Sequence, residues 1–119
     1  MKYLIASDIH GNAESCKKLI QFYEEGGYDR LVLLGDLLYH GPRNDLPQTY
    51  DVKTVYSLLN KHASEILSVR GNCDSEVDQA VLEFPIQAEY MIITEGGKAY
   101  FATHGDHYLI EGSFSALII

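Results

Sequence analysis

The sequence of 119 residues contains no tryptophan, two cysteines and three prolines, and it has few basic residues. Lys and Arg together number 9 against 17 Asp and Glu, so the formal net charge is −8. Duplex DNA and anionic membranes attract proteins with clustered positive charge, so we expect neither as the main partner. An acidic chain can still bind phosphates if metal ions supply positive charge locally.

Two cysteines do not make a disulfide framework, and these two stand in different surroundings. Cys16 lies in a helical pattern, whereas Cys73 follows a predicted strand, so we expect reduced thiols and a cytoplasmic protein. No apolar run approaches the roughly 18 residues of a membrane span, and the N-terminal run is too short for a secretory signal. We expect one domain across residues 1–119, a length that can bury a core.

Strand patterns and helix patterns alternate along the first part of the chain. Short apolar runs predict buried strands at residues 2–7, 30–34 and 65–69. Apolar residues at helical spacing predict helices at residues 13–25 and 51–63. This alternation is typical of an α/β domain with a parallel sheet. Further along, residues 88–94 and 99–103 flank a Gly-Gly pair, which predicts a β-hairpin.

Polar residues follow the predicted strands at the points where each strand ends. They are Asp8 and His10 after the first strand, Asp36 after the second, Asn72 after the third, and His104 after the hairpin. Ligand sites of parallel sheets form beyond the carboxyl ends of their strands. Each residue alone is typical of a polar turn, but their coincidence at four strand ends favours a metal site.

The chemistry of these side chains indicates which metals and which reaction such a site would serve. Carboxylate and amide oxygens mixed with imidazole nitrogens suit Mn, Fe or Zn better than Ca. A carboxylate such as Asp36 can bridge two ions about 3.5–4 Å apart, and two such ions stabilise the attacking and leaving oxygens of a phosphoryl transfer.

Four sequence motifs resemble those of a known family, in the same order along the chain. "SDIHGN", "LGDLLYHGPRN", "VRGNCDSEVDQ" and "THG" resemble the calcineurin-like metallophosphoesterases, and within them the YfcE-like phosphodiesterase subgroup. The resemblance covers residues 1 to about 106. It implies an α/β sandwich with αββα layers and hydrolysis of a small phosphodiester. It also implies two ions per site, either Mn²⁺ or another divalent transition metal.

The resemblance also implies a role for each candidate ligand. Asp8 and His10 would bind the first ion, Asn72 and His104 would bind the second, and Asp36 would bridge the two. In the family, a hydroxide activated by the two ions attacks phosphorus.

Two residues after Asn72 have alternative interpretations. Cys73 stands where many members carry a histidine that protonates the leaving group. It is either a poor catalytic acid, which would favour good leaving groups such as aryl groups, or a half-buried packing residue. Asp74 either orients neighbouring groups of the site or caps the helix that follows, and the two roles are compatible.

The loop after Asp36 supplies two candidates for substrate binding. Arg43 and Asn44 could contact a substrate phosphate, since a guanidinium presents a planar fork of donors. Alternatively, Arg43 pairs with a surface acid. His40 either lines the site or is an exposed loop histidine.

The sequence has no Gly-His-x-His segment, which supplies further ligands in the family, and it lacks the closing strands that follow. We therefore expect a sandwich that is incomplete at its C-terminal end and an activity that is weak or lost. An exposed sheet edge would then favour a homodimer by strand addition. The alternative function is a non-catalytic scaffold of the same fold, like the small subunit of the retromer coat.

Overall fold

The computed structural model describes residues 1–41, 48–105 and 115–118. Its strands are β1 (Tyr3–Ala6), β2 (Arg30–Leu33), β3 (Ile66–Ser68), β4 (Tyr90–Glu95), β5 (Lys98–Thr103) and β6 (Ser115–Ile118). Its helices are α1 (Ala13–Glu25), α2 (Val52–Asn60) and α3 (Glu76–Val81). The predicted alternation is confirmed, although α2 ends at Asn60 and a separate 3-10 turn at Ala63–Glu65 follows.

The first sheet is parallel, with strand order β1-β2-β3. Consecutive side chains of a strand point to opposite faces of the sheet, so each strand contributes residues to two apolar clusters, one on each face. Leu31 and Leu33 of β2 are fully buried against the helices, where they meet Cys16 of α1 and Leu59 of α2. Val32 of β2 points the other way, toward the second sheet.

The second sheet packs on that other face. β4 and β5 form the predicted antiparallel hairpin, in which Ile93 pairs with Tyr100. Ile93 and Ala102 pack against Val32, Leu34 and Val69 of the first sheet and its extensions. In space, a layer of helices is therefore followed by the first sheet and then by the second sheet, as expected for an α/β sandwich. Tyr90 and Ile92, on the outer face of β4, are about half exposed in the described part of the chain.

The tail changes one expectation about the sheet edges. β6 pairs with β5 in parallel, with Tyr100 opposite Ser115. The β5 side of the hairpin, which we expected to be open, is therefore covered. Across the described ranges, β4 and β6 are the outer strands of this sheet. The homodimer stays a prediction.

Each helix begins at a residue whose side chain accepts a backbone hydrogen bond. Asn12 Oδ1 caps α1 by accepting from the N–H of Ser15 at 3.1 Å, immediately after the loop that carries His10. Ser75 caps α3 and forms a reciprocal capping box with Asp78. The cap of α3 is thus Ser75, and the alternative interpretation of Asp74 as this cap is wrong. None of the helices described is long and apolar enough to span a bilayer.

Candidate metal centre

The loops after β1 and β2 run side by side beyond the ends of the strands. The N–H of Asp8 donates to the carbonyl of Gly35 at 3.0 Å, and the N–H of His10 donates to that of Asp36 at 2.9 Å. These bonds continue the parallel pairing of the sheet into the loops. They bring Asp8, His10 and Asp36 together at the carboxyl edge, where the strand ends predicted them.

The backbone is strained at these three positions. Asp8, His10 and Asp36 have φ angles of 61°, 51° and 56°, and they are the non-glycine residues with positive φ in the described ranges. Such conformations cost of order 1–3 kcal/mol each and persist where the surrounding structure imposes them. Their concentration on three candidate ligands indicates that the loops are shaped for a site.

Two glycines allow the loops after β2 and β3 to approach each other. Gly35 has φ of 100°, and a Cβ there would collide with the backbone of Gly71. A Cβ on Gly71 would collide in turn with the carboxylate and backbone nitrogen of Asp36. The close approach brings Asp36 against the turn that carries Asn72 and Cys73.

The buried carboxylate of Asp74 ties the two loops together. It accepts the N–H of Asp36 at 2.8 Å, that of Gly71 at 2.7 Å and that of Leu37 at 3.0 Å. Both of its oxygens are engaged by main-chain donors. Of the two interpretations made for Asp74, these contacts support the orienting one.

His10 is held with a defined proton position. Its Nδ1 lies 2.7 Å from the carbonyl oxygen of Tyr39, and since a carbonyl only accepts, Nδ1 carries the proton and donates. Its Nε2 lies 3.1 Å from Asp8 Oδ1 and 3.7 Å from Asp36 Oδ2. The nitrogen available for a ligand therefore points at two carboxylates.

His104 repeats this arrangement from the other side of the site. Its Nδ1–H donates to the carbonyl of Leu34 at 2.7 Å. Its Nε2 lies 2.9 Å from Asn72 Oδ1 and 3.3 Å from Asp36 Oδ2. The side chains of His104 and Asp36 are buried, whereas Asp8 and Asn72 are exposed, so the site opens to solvent on one side.

The pKa shifts reflect several negatively charged carboxylates that lie close together in the site. Burial raises the pKa of Asp36; the Cys73 N–H and His104 oppose the rise, while the carboxylates of Asp74 and Asp8 add to it. Burial alone would lower the pKa of His10. Its hydrogen bonds to Tyr39 and Asp8, with the charge of Asp36, outweigh burial and raise it.

This donor set fits a divalent cation. In both histidines Nε2 faces an acceptor oxygen, Asp8 Oδ1 for His10 and Asn72 Oδ1 for His104. Such a contact is favourable when positive charge lies between the two atoms, either a proton on Nε2 or a bound cation that takes the lone pair of a neutral imidazole. Donor atoms of Asp8, Asp36 and His104 all lie within 4.8 Å of one another. Mixed oxygen and imidazole ligands of this kind suit Mn, Fe or Zn.

Cys73 lies inside the site. Its N–H donates to Asp36 Oδ1 at 2.7 Å, and its thiol belongs to a second group, with His10 and Asp36, whose donor atoms lie within 4.8 Å of one another. Burial raises the pKa of this thiol, and the carboxylates of Asp36, Asp74 and Asp8 raise it further. The residue is half-buried, as the packing interpretation expected, but its sulfur also faces potential ligands.

The predicted substrate residues Arg43 and Asn44 lie outside the described residues. His40 lies within them, with its ring 4.8 Å from that of Tyr39 and 5.3 Å from that of Tyr50. Tyr50 packs over Gly11, directly after His10. No sequence pattern marks Tyr39 as part of the site, because its contribution is a main-chain carbonyl, which any residue could offer.

The family model for the calcineurin-like phosphoesterases matches residues 1–115. The chain therefore belongs to this family of hydrolases, which confirms the predicted class and fold. Over 105 residues it is 45% identical to "Phosphodiesterase YfcE" of Escherichia coli strain K12, covering 88% of this chain and 57% of that protein. The protein of the same name from Escherichia coli O157:H7 gives the same values.

A solved structure of YfcE, described as a phosphoesterase from E. coli, matches with a TM-score of 0.86 and 44% identity. The match covers 89% of this chain and 58% of that one. The chain thus spans 57% of the length of the curated relatives. Because those relatives are named as phosphodiesterases, the alternative of a non-catalytic scaffold is not favoured.

Proposed function

We propose that the chain provides a metal-dependent phosphodiesterase site. In this proposal Asp8 and His10 hold one divalent ion, Asn72 and His104 hold a second, and Asp36 bridges them. The observation that carries it is the orientation of the two imidazoles. Both Nδ1–H groups are engaged by main-chain carbonyls, and both Nε2 atoms face Asp36 Oδ2, at 3.7 Å from His10 and 3.3 Å from His104. When bound, such ions supply Lewis acidity toward a phosphoryl oxygen and toward water.

The residues of the chain prepare this site before any ligand arrives. The carbonyls of Tyr39 and Leu34 select the tautomer that leaves Nε2 free to bind. The Cys73 N–H holds one oxygen of Asp36, so the other faces both histidines. Asp74 holds the main chain of both loops and acts as a positioning residue. A site arranged in this way loses little free energy to reorganisation during the reaction.

We propose a small phosphodiester with a good leaving group, such as an aryl phosphodiester, as the substrate class. A thiol of raised pKa is a weak proton donor, so Cys73 would assist an alkoxide poorly. The net charge of −8 disfavours duplex nucleic acid and anionic membranes as partners. Mn²⁺ or another divalent transition metal fits the mixed donors. Phosphate contacts by Arg43 and Asn44, and the homodimer, stay predictions.

We also propose that the chain is located in the cytoplasm. Cys16 and Cys73 are both free, and free thiols are the usual state of cysteines in the reducing cytoplasm.

Calorimetric titration with Mn²⁺ tests the proposal, alongside hydrolysis of an artificial aryl phosphodiester. We expect measurable Mn²⁺ binding by the native chain, and its loss in Asp36→Asn and His10→Ala. His62→Ala is the matched control, because the His62 ring packs on Tyr23 at 5.2 Å, on the helical side of the first sheet. Any hydrolysis of the aryl phosphodiester should be lost in the same two variants. Unchanged Mn²⁺ affinity in both site variants would contradict the proposal.

A further inference from the structure

The second group of donor atoms in the site contains a sulfur. His10, Asp36 and Cys73 each offer one donor atom, and the three lie within 4.8 Å of one another. Bonds of about 2.0–2.3 Å at tetrahedral angles place the donors of a zinc-like ion about 3.3–3.8 Å apart, so side-chain adjustments of roughly 1 Å let all three reach one ion. Nitrogen, oxygen and sulfur in this combination match the ligands of zinc sites.

The position of the thiol is set by the backbone around it. The Cys73 N–H donates to Asp36 Oδ1 at 2.7 Å, and the N–H of Gly71 donates to Asp74 Oδ2 at 2.7 Å. Both bonds tie the turn after β3 to the loop after β2. A cysteine side chain has one rotatable bond before its sulfur, so fixing this backbone leaves few positions for the sulfur relative to Asp36 and His10.

The hydrogen bonds of His10 already orient its Nε2 atom toward the site. The Nδ1–H of His10 is engaged by the Tyr39 carbonyl, so its Nε2 faces the site, 3.1 Å from Asp8 Oδ1 and 3.7 Å from Asp36 Oδ2. A soft divalent ion placed here would meet an imidazole nitrogen, a carboxylate oxygen and a sulfur. Soft thiolate ligands select Zn²⁺ and similar ions, whereas Mn²⁺ prefers oxygen.

We propose that Cys73 supplies a thiolate ligand to a soft divalent ion, Zn²⁺ or Co²⁺, held with His10 and Asp36. This proposal rests on the metal-dependent function proposed above and adds a ligand that depends on the identity of the ion. With Zn²⁺ or Co²⁺, the sulfur–metal bond replaces the S–H bond and one proton passes to solvent. With Mn²⁺, which prefers oxygen ligands, the sulfur stays unbound. The ion that occupies the site therefore decides whether Cys73 is a ligand.

The second cysteine gives an internal control. Cys16 is fully buried in the helical core, and burial raises the pKa of its thiol to about 11. Its sulfur lies 4.0 Å from the carbonyl of Val55, on the helical side of the first sheet. A sulfur signal from a bound metal must therefore depend on Cys73 and survive the substitution of Cys16.

Titration of the full chain with Co²⁺ under reducing, anaerobic conditions tests the proposal by absorption spectroscopy. Sulfur-to-cobalt charge transfer absorbs in the near ultraviolet, whereas ligand-field bands in the visible report any bound Co²⁺. We expect both signals in the native chain and in Cys16→Ala. Cys73→Ser should keep the visible bands and lose the ultraviolet band, and Asp36→Asn should lose both.

Two other outcomes would overturn the proposal in distinguishable ways. Visible bands without the ultraviolet band in the native chain would remove Cys73 from the ligands and leave the metal site intact. Absence of both signals would overturn this proposal together with the proposed metal-dependent function. Competition with Zn²⁺ gives a second measure. Cys73→Ser should lose at least about tenfold in affinity for Zn²⁺, because even a group that only supports a ligand contributes roughly 10–100-fold, and it should lose much less for Mn²⁺.

Discussion

The helix-facing side of the first sheet and its carboxyl edge differ sharply although they share the same strands. On the helical side Leu31, Leu33 and Leu59 are fully buried among apolar neighbours. At the edge, a few residues further on, Asp8, His10 and Asp36 adopt positive φ and face one another as like-charged or acceptor groups. Apolar burial stabilises the fold by roughly 25 cal/mol per Å². The difference shows that the core supplies the stability that lets a strained, acidic edge persist.

The largest expected effect comes from removing the carboxylate that holds the edge together. Asp74→Ala leaves three backbone N–H groups without their acceptor, at about 1–3 kcal/mol for each buried donor. We expect the free energy of unfolding to fall by roughly 4 kcal/mol, because such losses are not fully additive. Urea denaturation followed by circular dichroism measures it. Asp74→Asn, which keeps one acceptor oxygen, should lose less. A loss of under about 1 kcal/mol in Asp74→Ala, the size of one ordinary hydrogen bond, would contradict the positioning role.

The next largest effect is expected for a substitution in the apolar core, which should not change metal binding at the carboxyl edge. Leu33→Ala removes a fully buried side chain that packs on the helices, and we expect a loss of about 3 kcal/mol in the free energy of unfolding. Its Mn²⁺ affinity should match that of the native chain, since the Leu33 side chain packs in the apolar cluster on the helical side of the sheet. Calorimetric titration with Mn²⁺, under conditions in which the variant is folded, measures this affinity. A marked loss of Mn²⁺ affinity would show that core and edge are coupled.

Metal binding should stabilise the edge by relieving its repulsion. A ligand that binds only the folded state adds about 2.7 kcal/mol at a free concentration 100 times its Kd. We expect this gain with Mn²⁺ in the native chain and the same gain in Leu33→Ala, with reversal by a chelator. Thermal unfolding with and without Mn²⁺ measures it. The gain should vanish in Asp36→Asn, and an equal gain there would place the bound ion elsewhere.

The smallest effect concerns the helix cap beside the site. Ser75→Ala removes the side-chain acceptor of the capping box at the start of α3, which should cost about 1 kcal/mol. Ser75→Thr keeps a hydroxyl acceptor and should retain most of this stability. Denaturant unfolding of both variants provides the comparison. Mn²⁺ binding should be unchanged in each, because Asp74 holds the site without the help of its neighbour.

Much of the fold follows from local patterns in the sequence. Helical spacing predicted α1 at residues 13–25, and the structure has this helix at Ala13–Glu25. The strand ends predicted that Asp8, Asp36 and His104 would meet. Parallel strands carry Asp8 and Asp36 to one edge, whereas His104 follows β5 of the second sheet and reaches that edge because the two sheets pack together. The second helix was predicted too long, since apolar spacing continues through Ala63 while the chain has already changed to a 3-10 turn.

The remaining features depend on contacts between distant parts of the chain. By itself, the sequence determined the periodic elements, the acidic charge and the ligand types at the strand ends, all of which are local properties. Only the tertiary structure decided that the carbonyls of Tyr39 and Leu34 orient the two histidines, since a main-chain carbonyl carries no residue signature. It also decided that β6 covers β5 and that the Cys73 sulfur lies beside His10. These depend on register and loop approach, which are fixed when the sheets and loops pack.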